Sequence, residues 1–129
     1  MTAPELSNPP TVAKPVGPYS HVALVKAGSD TFYFSGQVGT DANGDVPDGI
    51  DAQAVNAFTN ILRLLEANGM TPANIAKQTI FVVAGNDLGA VRTARKKIFG
   101  DAVPASTLIY VSALVAPVLQ IEVECVASR

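Results

Sequence analysis

The predicted strands of this chain are apolar on both of their faces, and this feature constrains the fold more than any other. In the segment LIYV, at residues 108–111, odd and even positions are both apolar, and the same holds for IFVV at residues 80–83. Successive side chains of a strand point to opposite faces of the sheet, so both faces of the sheet are apolar. Two helices can cover one such face. We therefore expect other subunits to cover the second.

Two segments have the apolar spacing of amphipathic helices. The first helix is predicted from about Ile50 to Asn68, because apolar residues recur three and four positions apart and Gly69 follows as a C-terminal stop. The second is predicted from Asp87 to Phe99, where Gly100 ends it. A chain of 129 residues fits one domain with one core.

Five β-rich segments complete the pattern, at residues 21–25, 31–38, 75–83, 107–112 and 120–126. The turn-forming letters AGSD separate the first two, which we expect to pair as a hairpin. The order β-β-α-β-α-β-β predicts an α+β domain with both helices on one face of the sheet. Residues 1–18 hold five of the nine prolines and are predicted to be an extended arm, followed by a single domain at 19–129.

Composition and missing motifs exclude several classes of function. A net charge of -2 and a pI near 5.2 provide no basic field for a nucleic acid. One histidine and one cysteine cannot build a multi-histidine metal site or an internal disulfide, so we predict no metal and a reducing, cytoplasmic location. No apolar run approaches the roughly 20 residues of a membrane span. Phosphate-binding and dinucleotide-binding glycine motifs are also absent.

Four of the nine basic residues cluster near the end of the second predicted helix, at Arg92, Arg95, Lys96 and Lys97. Positive charge in the last turn complements the helix dipole, which is the ordinary explanation. A patch that binds an anion is the alternative.

Polar residues interrupt two of the otherwise apolar strands. In TFYFSGQVG, alternation places Tyr33, Ser35 and Gln37 on one face, and Gly36 allows a ligand or another backbone to approach closely.

In the last strand, QIEVEC, alternation places Glu122 and Glu124 on the face opposite the apolar residues. Carboxylates buried between subunits would need partners, a ligand or a raised pKa. If they lie at a rim in solvent, they need none of these. Periodicity alone leaves both interpretations open.

Taken together, six motifs in register resemble the RidA family, also called the YjgF family. They are GPYS at 17–20, FSGQVG at 34–39, NGDVPDGIDAQ at 43–53, the first helix with its asparagine and final glycine, PA at 104–105, and IEVECVA at 121–127. The resemblance implies a chorismate-mutase-like α+β fold assembled as a homotrimer with ligand clefts between subunits. It also implies hydrolysis of small enamines and imines to 2-keto acids and ammonia, without metal or cofactor.

The resemblance also implies roles for individual residues. The family's water-activating glutamate corresponds to Glu122, and its cleft tyrosine and serine correspond to Tyr19 and Ser35. The family arginine that grips the substrate carboxylate corresponds to Ser106, because PARS has become PAST. Arg92 stands where the family commonly has an asparagine, and we expect it either to supply the missing positive charge or to be an exposed helix residue.

Three functions remain open at this stage. The chain binds or hydrolyses a small metabolite other than the usual 2-imino acid, or it keeps the deaminase activity at a reduced rate, or it is a non-catalytic ligand sensor or chaperone-like trimer. The predicted site consists of Tyr19, Ser35, Gly36, Arg92, Ser106 and Glu122.

Overall fold

A computed structural model describes residues 2–129 of the chain, so Met1 of the predicted arm lies outside the described residues. The elements, in chain order, are β1 (Glu5–Ser7), β2 (Val22–Leu24), β3 (Thr31–Val38), α1 (Ile50–Ala67), a 3-10 turn (Pro72–Asn74), β4 (Ile75–Val83), α2 (Leu88–Phe99), β5 (Ala105–Val111) and β6 (Ile121–Ser128). This is the α+β fold that the periodicity predicts, with one more short strand in the arm.

The main sheet has four strands in the order β3-β6-β4-β5. Strand β6 pairs antiparallel with both β3 and β4, and β5 lies parallel to β4 at the sheet edge. The predicted hairpin is wrong, because β2 pairs antiparallel with β1 of the arm and β3 pairs with β6. Both segments are β-formers, but their alternation does not specify their partners.

Both helices pack on one face of this sheet, and the core lies between them. Helix α1 buries Phe58 and α2 buries Phe99, whose rings meet edge to face with centroids 5.2 Å apart. From the sheet, β6 presents Ile121, Val123 and Cys125 to the same core. After α1, Gly69 adopts a positive φ of 71°, and the Met70 amide donates to the Leu65 carbonyl, which ends the helix where its glycine predicts.

The opposite face of the sheet, here called the outer face, is covered by neither helix. Tyr33 is 80% exposed there and Ile109 is 41% exposed, with Phe81 and Val126 partly exposed between them. The predicted second face is therefore apolar at these positions, but the strand register also places Lys77, Thr79 and Glu124 on it. No helix among the described residues is long and apolar enough to cross a membrane.

Candidate active site

A cavity of about 740 Å³ lies on the helix side of the sheet, at its β5 edge. Its volume is within the range of small-molecule sites, roughly 300–1,000 Å³. The lining residues come from the end of the arm and the residue after it, from β4 and β5, and from α2; they are Val16, Gly17, Pro18, Tyr19, Gln78, Ile80, Arg92, Arg95, Ser106, Thr107 and Leu108. Three of the six predicted site residues, Tyr19, Arg92 and Ser106, therefore line one cavity.

The segment before β2 brings Tyr19 to this cavity through contacts of its neighbour Ser20. The Ser20 amide donates to the Pro104 carbonyl at 3.1 Å, and its hydroxyl donates to the Val103 carbonyl at 2.6 Å. Ser20 also forms a parallel bridge with Ala105 at the start of β5. These contacts fix Tyr19 beside the strand end that carries Ser106.

Ser106 itself faces the helix side, where its hydroxyl accepts a hydrogen bond from Gln78 Nε2 at 3.1 Å. The two residues are direct neighbours in the parallel β4-β5 pairing. A serine side chain here carries no charge, and Arg92, across the cavity on α2, is exposed to solvent.

Of the other three predicted residues, Gly36 and Glu122 form a second cluster at the outer face, and the exposed Ser35 precedes Gly36 on β3. A β-bulge between Phe34 and Gln37 places the backbone of Gly36 directly beneath the Glu122 carboxylate. A Cβ added to Gly36 would lie 2.0 Å from Glu122 Oε2. Because of the bulge, the predicted alternation of β3 is wrong at Gln37. Gln37 is in register with the buried Val123 and therefore lies on the face opposite Tyr33.

The Glu122 carboxylate is half-buried and makes no hydrogen bond or ion pair with any residue among 2–129. Its cross-strand neighbours are Val38 on β3 and Phe81 on β4, both apolar. A carboxylate next to apolar side chains and a bare glycine backbone is available to accept a proton from a water or a ligand.

Within one chain the structure does not bring the two clusters together. Ser106 and Glu122 point to opposite faces of the same sheet, since Ser106 contacts the buried Gln78 and Glu122 is in register with the outer-face residue Phe81. For the same reason Arg92, on the helix side, does not approach Glu122.

Two polar residues of the cavity were missed by the sequence analysis. Arg95 is only 5% exposed and donates through Nη2 to the Ala102 carbonyl, so it is not one of the surface cations predicted for the end of α2. Its neighbour Lys96 is such a cation and pairs with Asp101. Arg95 lies four residues after the buried Val91 and therefore on the same face of α2, and this spacing was the available signal of its burial. Gln78 is 1% exposed within an apolar strand.

His21 lies outside both clusters and has a structural role. Its Nε2 donates to the Ala13 carbonyl at 2.6 Å, and its backbone amide donates to Asn8 Oδ1 at 2.7 Å. The histidine thereby ties the arm to β2. Its ring packs edge to face against Tyr19, with centroids 5.7 Å apart.

The two-helix layer over a mixed sheet has close counterparts among known proteins. A model of the Endoribonuclease L-PSP family matches residues 10–129. A 2-iminobutanoate/2-iminopropanoate deaminase of Capra hircus is 40% identical over 101 residues, covering 77% of this chain and 72% of the relative. A protein of the same name from Dermatophagoides farinae is 32% identical over 116 residues and 88% of each chain.

Solved structures show the same likeness over the whole chain. A Yersinia pestis protein of the conserved Rid family, YyfB, described as of unknown function, superposes with a TM-score of 0.86 at 30% identity, covering 99% of this chain and all of that one. The YjgF gene product of E. coli superposes with a TM-score of 0.71 at 28% identity, covering 97% and 98%. These matches define a Rid-type α+β protein. The chain belongs to the RidA (YjgF) family.

Proposed function

We propose that this protein is an enamine/imine deaminase, which hydrolyses small 2-imino acids and their enamine tautomers to 2-keto acids and ammonia. The observation that carries the proposal is the Glu122 carboxylate, which has no hydrogen-bond or ionic partner among residues 2–129 and lies over the backbone of Gly36 on the outer face. The deaminase names of the Capra hircus and Dermatophagoides farinae relatives support it.

The reaction needs little from the protein beyond positioning and proton transfer. Glu122 accepts a proton from a water as its oxygen attacks the electrophilic imine carbon, and the nitrogen gains a proton, giving a tetrahedral carbinolamine. When this intermediate collapses, the hydroxyl proton is transferred to the amino nitrogen, the carbon–nitrogen bond breaks, ammonia leaves with the electron pair of that bond, and the oxygen becomes the keto oxygen. We propose that Ser35 and Gly36 form the wall against which the water and substrate are held.

We further propose that the active site is completed between subunits of a homotrimer. The Glu122 cluster is on the outer face and the cavity with Tyr19, Arg92 and Ser106 is on the helix side, so one chain cannot present both to one ligand. Burial of the apolar outer face, with Tyr33 80% exposed, would drive the association. The single free cysteine is consistent with a reducing location such as the cytoplasm.

A second candidate is the binding or hydrolysis of a small metabolite that has no carboxylate. The observation that favours it is Ser106, a neutral residue where the family has its arginine. A panel of imines generated in the assay, with and without a carboxylate, separates the two candidates, because the deaminase proposal expects the acids to be hydrolysed faster.

A matched pair of glutamates on β6 tests the main proposal. In a coupled assay that generates 2-iminobutanoate, Glu122→Gln should lower kcat/KM by about 10²–10⁴-fold, the usual contribution of a general base. Glu124→Gln, two residues along on the same face, should change it less than about twofold. Equal rates for Glu122→Gln and an active wild type would refute the role of Glu122, whereas a wild type no faster than uncatalysed hydrolysis would refute the proposed activity and favour a non-catalytic sensor.

A further inference from the structure

Arg95 of α2 is a buried cation for which residues 2–129 supply no acidic partner. Its Nη2 donates to the Ala102 carbonyl, its Nε is enclosed without any hydrogen-bond partner, and its Nη1 makes no hydrogen bond within the described residues. One bond to a neutral carbonyl holds the loop before β5 but leaves the charge uncompensated. Arginine is almost never buried without a paired anion.

The surroundings of Arg95 do not supply the missing negative charge. Burial lowers the pKa of the guanidinium from its ordinary value, while the nearby Cys125 acts in the opposite direction. Burial, together with the charge of Glu124, raises the pKa of the Cys125 thiol to about 12, so this group is neutral at physiological pH. The part of Arg95 that is not enclosed faces the cavity that Ser106 lines.

Gln78, which lines the same cavity, has a complementary unsatisfied group. It is 1% exposed, and its Nε2 donates to Ser106 Oγ at 3.1 Å. That bond fixes the amide so that Oε1 is the remaining acceptor, and Oε1 has no donor within residues 2–129. A buried acceptor without a donor is costly unless a ligand or water provides one.

We propose that Arg95 and Gln78 form the binding site for the acid end of the substrate, with Arg95 holding the carboxylate and Gln78 Oε1 accepting an N–H. The ligand class is a small 2-imino or 2-amino acid, which carries both groups on neighbouring carbons. The inference rests on the proposed function, since it assigns residues to the same cavity. It also accounts for Ser106, because a guanidinium delivered from α2 makes one from β5 unnecessary.

Arg92 is the competing source of positive charge, one helical turn before Arg95. It also lines the cavity, but its side chain is exposed. Water competes with an anion for an exposed guanidinium, whereas a desolvated guanidinium makes charge-assisted hydrogen bonds at full strength. Arg95 is therefore the principal anchor, and removing Arg92 should have the smaller effect.

Binding of 2-oxobutanoate, measured by isothermal titration calorimetry, tests this assignment without turnover. Arg95→Met should weaken binding by about tenfold to 150-fold, as expected for a lost charged hydrogen bond, and Arg92→Met by less than about threefold. Arg63→Met, at an exposed site on α1, is the matched control and should bind like wild type. Equal affinities for Arg95→Met and Arg63→Met, with both variants folded by circular dichroism, would overturn the proposal.

A measurement on the wild-type protein covers the case in which Arg95→Met does not fold. Neutral 2-oxobutanamide should bind at least about tenfold more weakly than 2-oxobutanoate, and 2-oxobutanoate should shift the Arg95 Nε–H resonance in a ¹⁵N spectrum. Equal affinities together with an unmoved resonance would overturn the proposal. If 2-oxobutanoate binding depends on Arg95 but the protein hydrolyses no imine, the proposed function is wrong and Arg95 is still supported as an anion-binding residue.

Discussion

Alanine at Gly36 should abolish most of the activity while leaving the fold intact. The added Cβ would lie 2.0 Å from Glu122 Oε2, 2.8 Å from Cδ and 3.0 Å from Cγ. To reach an ordinary separation of about 3.5 Å, the carboxylate oxygen must move by about 1.5 Å. A misplacement of about 1 Å can cost on the order of 10²-fold in rate, so we expect kcat/KM to fall by about 10²-fold or more.

The stability cost should be small because the colliding atoms are the end of a flexible side chain. Gly36 is not among the glycines with positive φ, so alanine can adopt its backbone conformation. A strained glutamate rotamer costs about 0.5–1.5 kcal/mol. The contrast is Gly39→Ala, whose Cβ would lie 2.6 Å from the Cα of Gln53 in α1, where no rotamer change relieves the clash. That variant should lose about 1–3 kcal/mol or more.

Urea unfolding and the coupled 2-iminobutanoate assay separate these effects, and a double-mutant cycle identifies their origin. In a Glu122→Ala background there is no carboxylate to displace, so Gly36→Ala should cost little further activity. If Gly36→Ala keeps wild-type kcat/KM, or if it lowers the rate equally with and without Glu122, the assigned role of the Gly36–Glu122 contact is wrong.

Two further predictions concern the core. The raised pKa of Cys125 means that its contribution to stability is complete below its ordinary pKa and is lost as pH rises from about 9 to about 12. The free energy of unfolding should therefore fall over that range by up to about 1.4 kcal/mol per pH unit more than in Cys125→Ala, and an equal slope in urea titrations of both proteins would contradict this. Phe58→Ala should cost about 3–5 kcal/mol, because Phe58 is fully buried against Phe99; a loss below about 1 kcal/mol in urea unfolding would show that this contact is not part of a tight core.

Local patterns predicted most of the elements, and non-local pairing accounts for most of the errors. Strand β4 has the predicted bounds, 75–83, and α1 begins at Ile50 as its apolar spacing indicates. The predicted pairing of β2 with β3 is wrong, because β2 pairs with residues 5–7 of the arm. Those residues are distant along the chain and contain no strand signal stronger than that of β3. A helical or alternating pattern reports which face of an element is apolar, but it does not report which element covers that face.

In the candidate site too, local sequence predicted some positions, whereas others depend on how the elements pack. Tyr19, Arg92 and Ser106 line one cavity, although they are distant along the chain. The separation of Glu122 from Ser106 by the thickness of the sheet follows from strand parity and could have been derived from register. The burial of Arg95 had only a weak signal, its four-residue spacing from the buried Val91, because a charged residue near a helix end is ordinarily exposed.

In the proposed homotrimer, each active site combines the Glu122 cluster of one subunit with the cavity of another. Mixing two inactive variants tests it most directly: Glu122→Gln, and Ser106→Trp, which fills the cavity. After each is shown to form a trimer by sedimentation, equal amounts are unfolded and refolded together. Random assembly should make about one quarter of the clefts intact and restore about one quarter of the wild-type rate. A mixture no more active than the separate variants would contradict a site shared between subunits.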